Sequence, residues 1–180
     1  MSACTEYVLD GDDRIIGVGG DWDGFARANN AEHLCGDALI GTSFWDHVAG
    51  QSLCDLLNRV FQRARALGQP ITVPARCDSP DTIRHLRIRV HARNRDQLEV
   101  QSCIHSEIPR DMWRAGDSVR AVLQMCSWCN RFHLDGHWME IEQAIEEYGL
   151  VNADAVPRSS HGICPDCAVL LKEAAMREKG

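Results

Sequence analysis

Two pairs of cysteines stand in the last third of the chain, Cys126 with Cys129 in "QMCSWCNR" and Cys164 with Cys167 in "HGICPDC", with 34 residues between the pairs. A C-x2-C turn brings two sulfurs together, and one such pair serves a thiol redox site as readily as half of a zinc site. Two pairs are more specific, because together they supply the four sulfur ligands at about 2.3 Å that tetrahedral zinc takes. The spacer exceeds the roughly 15 to 20 residues of the common four-cysteine pattern. A helix read over Trp138, Ile141, Ile145 and Tyr148 fills much of it and returns the chain. A structural zinc ion on Cys126, Cys129, Cys164 and Cys167 is therefore expected. An iron–sulfur cluster also fits four cysteines and ranks below zinc; thiol–disulfide exchange gains nothing from a second, distant pair. His133 and His137 read as solvated, whereas His161, three residues before Cys164, is a candidate to touch the site directly or through a hydrogen bond to sulfur.

The chain carries nine cysteines in all. Its acidic, polar N-terminus and short apolar runs indicate neither a signal peptide nor a membrane span, so a cytoplasmic protein is expected. A reducing cytosol makes a disulfide framework unfavourable; Cys77 and Cys103 read as buried small side chains and Cys4 as exposed. Net charge is −7, with 11 Lys and Arg against 15 Asp and Glu before Pro109 and 8 against 11 after it. Both halves are acidic, which argues against nucleic acid or an anionic membrane as partner.

The elements that must position the cysteines read as mixed α+β. "RIIGVGGDWDGFARAN" suggests a strand, a turn and a second extended piece, and "AEHLCGDALIGTSFWDHV" short helical patches. In "SLCDLLNRVFQRARALG" the residues Leu53, Leu56, Leu57, Val60, Phe61 and Ala64 recur at three- and four-residue intervals before Gly68, which predicts a helix with one buried face. "ITVPARC", "IRHLRIRVHAR" and "QLEVQSCIHSEI" read as three antiparallel strands joined by short turns. In the middle one Leu86, Ile88 and Val90 face the helix, opposite a basic face of His85, Arg87, Arg89, His91 and Arg93 that pairs with cross-strand carboxylates such as Glu99. Met112, Trp113, Val119, Val122 and Leu123 suggest a helical connector. Pro165 suits the first turn of a final helix with Val169, Leu170 and Ala174 on one side. The division expected is residues 1–108 as one domain, 109–125 as the connector and 126–180 as a small helical four-cysteine module, too small to bury a core without its metal.

The segment through Cys126, Ser127, Cys129, Trp138, Glu142 and the terminal "SHGICPDC", Ser160 to Cys167, resembles a cysteine-rich tail of bacterial PAS-containing sensor kinases and response regulators. It departs from that pattern in the extra residues "LVNADAVPR". The first half, through "LIGTSFWDHVAG" and the order of its elements, resembles a PAS domain. The resemblance implies an antiparallel sheet with flanking helices that holds haem, flavin or a small metabolite, or serves as a dimer contact. The flavin light-sensor signature is not present. His33, His47, Cys35 and Cys54 are candidates for a haem axial ligand.

The chain lacks a nucleophile elbow, a phosphate-binding glycine loop, a kinase signature and an HExxH helix. Four cysteines also fill a zinc tetrahedron and leave no position for a reacting water. The reading that follows is a sensory or regulatory protein of the bacterial signalling type, a homodimer acting through a protein partner. The alternative is a thiol redox or metal-responsive switch, or a thiol oxidoreductase, using the C-x2-C pairs. Loss of Cys164 is expected to unfold mainly the residues after Pro109.

Overall fold

The computed structural model describes residues 4–78, 82–109, 123–148 and 159–176. The chain begins with two strands, Cys4–Leu9 (β1) and Ile15–Gly20 (β2), paired antiparallel. The piece after Gly20 is helical rather than extended: Trp22–Ala28 forms α1. Its position is set by tertiary contacts, since the Trp22 indole donates to the Leu34 carbonyl at 2.7 Å and Asp23 accepts from the Gly36 N–H at 2.9 Å. Two single 3-10 turns, Glu32–Leu34 and Phe44–His47, flank the short helix Gly36–Leu39 (α2).

The long helix is Gln51–Leu67 (α3), and its buried residues are the six expected: Leu53, Leu56, Leu57, Val60, Phe61 and Ala64. It stops at Gly68, whose φ of 63° is left-handed and free of cost without a Cβ. Three antiparallel strands follow, Ile71–Arg76 (β3), Thr82–Ala92 (β4) and Leu98–Pro109 (β5). The five strands make one antiparallel sheet in the order β2-β1-β5-β4-β3. Its inner face, with Leu9, Val73, Val90, Leu98 and Val100 all buried, packs on α3. On β4 His85, Arg87 and Arg89 are exposed on the outer face, and Arg93 is paired with Glu99 at 2.6 Å.

β1 lies beside β5 with Cys4 opposite Cys103, and these two form a disulfide. This corrects the reading of Cys4 as an exposed thiol and Cys103 as a buried one. The pairing joins residues 99 apart, a separation that periodicity within either strand does not reveal.

The expected connector falls mostly on residues 110–122, with Met112, Trp113, Val119 and Val122, which lie outside the described residues, as do residues 150–158. Its last residues run in a strand, Leu123–Cys126 (β6). After it come Phe132–Leu134 (β7), His137–Met139 (β8), the helix Ile141–Tyr148 (α4), Ser159–Gly162 (β9) and the helix Pro165–Met176 (α5). The last part of the chain is thus a four-stranded sheet, β8-β7-β6-β9, flanked by helices rather than a helical module. Trp138 sits on β8 and not on the helix. The missed signal is "LDGH": Asp135 and Gly136 have φ of 47° and 84°, the pair of positive values that closes a two-residue hairpin.

On α5 Pro165 opens the helix as expected, but the buried stripe is Cys167, Leu171 and Ala174, while Val169 is exposed. The stripe turns to α3 and β3. Leu171 and Ala174 belong to the same buried cluster as Val60, Phe61, Val90 and Val100, so the cysteine-bearing part and the five-stranded sheet share one core. Among the described residues no helix is long and apolar enough to cross a membrane.

Because the core is shared, Leu171→Ala is expected to cost about 2–5 kcal/mol and to lower the stability of the whole protein. Urea unfolding followed by far-UV circular dichroism should show one transition at a lower midpoint. Two separated transitions, with the five-stranded sheet unaffected, would contradict the shared core.

Candidate metal centre

Cys126 is the last residue of β6 and Cys129 lies in the turn that follows. That turn is closed by two backbone bonds, Cys126 N–H to Arg131 C=O at 2.8 Å and Asn130 N–H to Cys126 C=O at 2.9 Å. Asn130 takes a φ of 62°, a conformation that Asn adopts more readily than most residues. Cys164 directly precedes α5 and Cys167 stands in its first turn. The parallel pairing of β6 with β9 sets Cys126 opposite Gly162 and so brings the second pair to the first.

The four sulfurs lie within 4.8 Å of one another, with three of the residues buried and Cys129 partly exposed. Ligands 2.3 Å from a tetrahedral centre are about 3.8 Å apart along each edge; Cys129 Sγ and Cys164 Sγ are 3.8 Å apart. The donor set fits a soft-ligand ion such as zinc. Backbone N–H groups support the sulfurs, from Cys164 to Cys126 Sγ and from Cys167 to Cys164 Sγ, both at 3.4 Å. The guanidinium of Arg131 reaches Cys129 Sγ at 3.3 Å and Cys164 Sγ at 3.0 Å. Sequence reading passed over Arg131, although its place two residues after Cys129 was a visible signal.

Without a metal, hydrogen bonds from Cys126 and Cys167 hold the Cys129 thiol far below its ordinary value, with Arg131 adding to the effect. Hydrogen bonding to Cys126 and Cys129, together with burial, pushes Cys167 up, and burial raises Cys164. Burial opposes the charge on Arg131, but bonds to Cys129 and Asp166 hold the guanidinium protonated beyond its ordinary range.

The first loop is bolted to the exposed edge of β3. The Trp128 indole N–H donates to Pro74 C=O at 2.7 Å, and the Arg76 N–H donates to Trp128 C=O at 3.1 Å. The Arg76 side chain then reaches Asp78, Glu140 at 2.6 Å and Glu142 at 2.8 Å. Ser127 N–H donates to Gly162 C=O at 2.9 Å.

His161 is not among the clustered metal-binding groups. It instead lines a cavity of about 360 Å³ between α3, the sheet and the cysteine loop. Val60, Phe61, Val90 and Val100 form apolar wall on one side, and Met125, Trp128 and Asn130 close it from the other. Of the haem candidates only His47 is on this wall among the described residues, and its Nε2 is 2.8 Å from Thr42 Oγ1. His33 is exposed, Cys35 and Cys54 are free thiols, and Cys54 contacts the Val48 carbonyl at 3.8 Å.

No protein-family model matches the chain, and no curated protein matches it.

Cys164→Ser is expected to abolish metal binding and to destabilise the shared core, not the tail alone, since Cys126, Cys164 and Cys167 belong to that core. Elemental analysis and thermal unfolding check both parts. Acidification should release metal from the parent protein, because protons compete for the sulfurs; occupancy that stays constant down to acidic pH, measured by equilibrium dialysis, would count against thiolate ligation.

Proposed function

We propose that the chain is a bacterial sensory or regulatory module, in which a PAS-like domain is closed on one side by a zinc-stabilised cysteine tail and passes its signal on through protein contacts. The observation that carries this reading is the cavity whose opposite walls come from the two parts of the chain. Its volume lies at the low end of the range for small-molecule sites, about 300–1,000 Å³. The tail residues on its wall adjoin the cysteines: Met125 precedes Cys126, Ser127 and Trp128 separate Cys126 from Cys129, and Asn130 follows Cys129.

The element order supports the PAS-like part: two strands, short helices, one long helix and three antiparallel strands. Zinc is favoured by four sulfurs within 4.8 Å of one another, the Cys129–Cys164 pair at the tetrahedral edge length, with three of the residues buried. Zinc here would be structural, holding loop and helix start together. The signal leaves through a protein partner, and the working form is a homodimer.

A thiol redox or metal-responsive switch is the second reading. It is favoured by Cys129, which is partly exposed and whose thiol is held below its ordinary value by hydrogen bonds from Cys126 and Cys167. In that case oxidant expels the metal, or a disulfide substrate turns over at Cys126 and Cys129.

Protein purified without added metal, its cysteines kept reduced, is expected to carry one zinc per chain by elemental analysis. Iron in its place would point to a cluster, and no metal would revive thiol chemistry. Light scattering at high protein concentration is expected to give twice the chain mass; a strict monomer would sink the homodimer.

A further inference from the structure

Arg131 holds a position that the zinc reading does not require of it. Its guanidinium spans the two cysteine pairs, with Nε on Cys129 of the first and Nη2 on Cys164 of the second. The same Nη2 also donates to Asp166 Oδ2 at 2.8 Å, which anchors the fork. Arg131 itself is largely covered, at 19 % side-chain exposure. Cys129, the one ligand not buried, is thus covered in part by this side chain.

The chemistry of the site gives such a group a task. Four thiolates around a divalent ion leave two surplus negative charges, and a partly buried surplus is costly because little water screens it. A cation in contact offsets one of them. Each N–H···S bond also draws electron density from its sulfur, so the sulfur competes less well for protons and attacks electrophiles more slowly. The planar fork of Arg can bond to two sulfurs at once, which the single ammonium of Lys cannot do with the same geometry.

We propose that Arg131 is the counter-charge and shield of the metal centre, a positioning residue that sets how long the metal is retained and how slowly the bound thiolates react. The proposal rests on the metal reading of the four cysteines.

The full chain, loaded with zinc, is compared with Arg131→Gln, Arg131→Lys and the remote surface control Arg27→Gln. Zinc transfer to an excess of chromophoric chelator is timed, and alkylation of Cys129 by iodoacetamide is followed by peptide mass spectrometry. Arg131→Gln should release zinc about 10- to 100-fold faster and alkylate Cys129 sooner, with Arg131→Lys in between and Arg27→Gln like the parent. Near-UV circular dichroism establishes that each variant is folded. Parent-like release and alkylation in folded Arg131→Gln would overturn the proposal and leave the four-cysteine site standing. A parent that binds no zinc would overturn both. Should Arg131→Gln fail to fold, Arg131→Lys decides: faster release supports the fork, and parent-like release overturns it.

Discussion

The pairing of β6 with β9 is the constraint on which the rest of the tail depends. It is parallel, and parallel neighbours cannot be joined by a tight turn, so a long crossover must lie between them. The hairpin of β7 and β8 and the helix α4 fall within that crossover. Once Cys126 stands opposite Gly162, Cys164 follows two residues later, and the first turn of α5 delivers Cys167. Four sulfurs from distant stretches then share one small volume.

The loop after β6 and the helix α5 fix the tail against the five-stranded sheet. The edge of β3 offers an unpaired carbonyl at Pro74 and an unpaired N–H at Arg76, and Trp128 satisfies both. Covering a sheet edge in this way removes a site for unwanted strand addition. Arg76 adds an ion cluster with Asp78, Glu140 and Glu142 over the same joint. α5 completes the contact by packing on α3. The cysteine cluster, its loop and the cavity wall are therefore mechanically continuous.

Electrostatics run through the same joint. Arg131 touches sulfur on one side and Asp166 on another, and Glu140 lies 4.0 Å from it while bonding to Arg76. Two arginines thus share one carboxylate between the sulfur cluster and the sheet edge. A charged network of this kind favours one arrangement of the parts, because each alternative leaves a covered charge without its partner.

The pattern of residues along the chain carried the local elements and the identity of the four cysteines. The six-residue stripe of α3, the stop at Gly68, the alternation on β4 and the placement of Pro165 all follow from periods of 3.6 and 2 and from backbone chemistry within a few residues. Trp138 lies on a strand rather than the helix; one apolar residue beside a short amphipathic run fits either period, and only the Asp135–Gly136 turn tells the two apart. The Cys4–Cys103 bond, the Trp128 bolt, Arg131 on the sulfurs and the two-sided cavity lay outside that pattern. Each joins residues whose separation in sequence bears no relation to any local period, or a side chain whose direction is set by its packing. Periodicity reports which face of an element is buried; which other element buries it is settled when the elements compete for the same apolar surface, and here α5 and the cysteine loop occupy the place on α3 and β3.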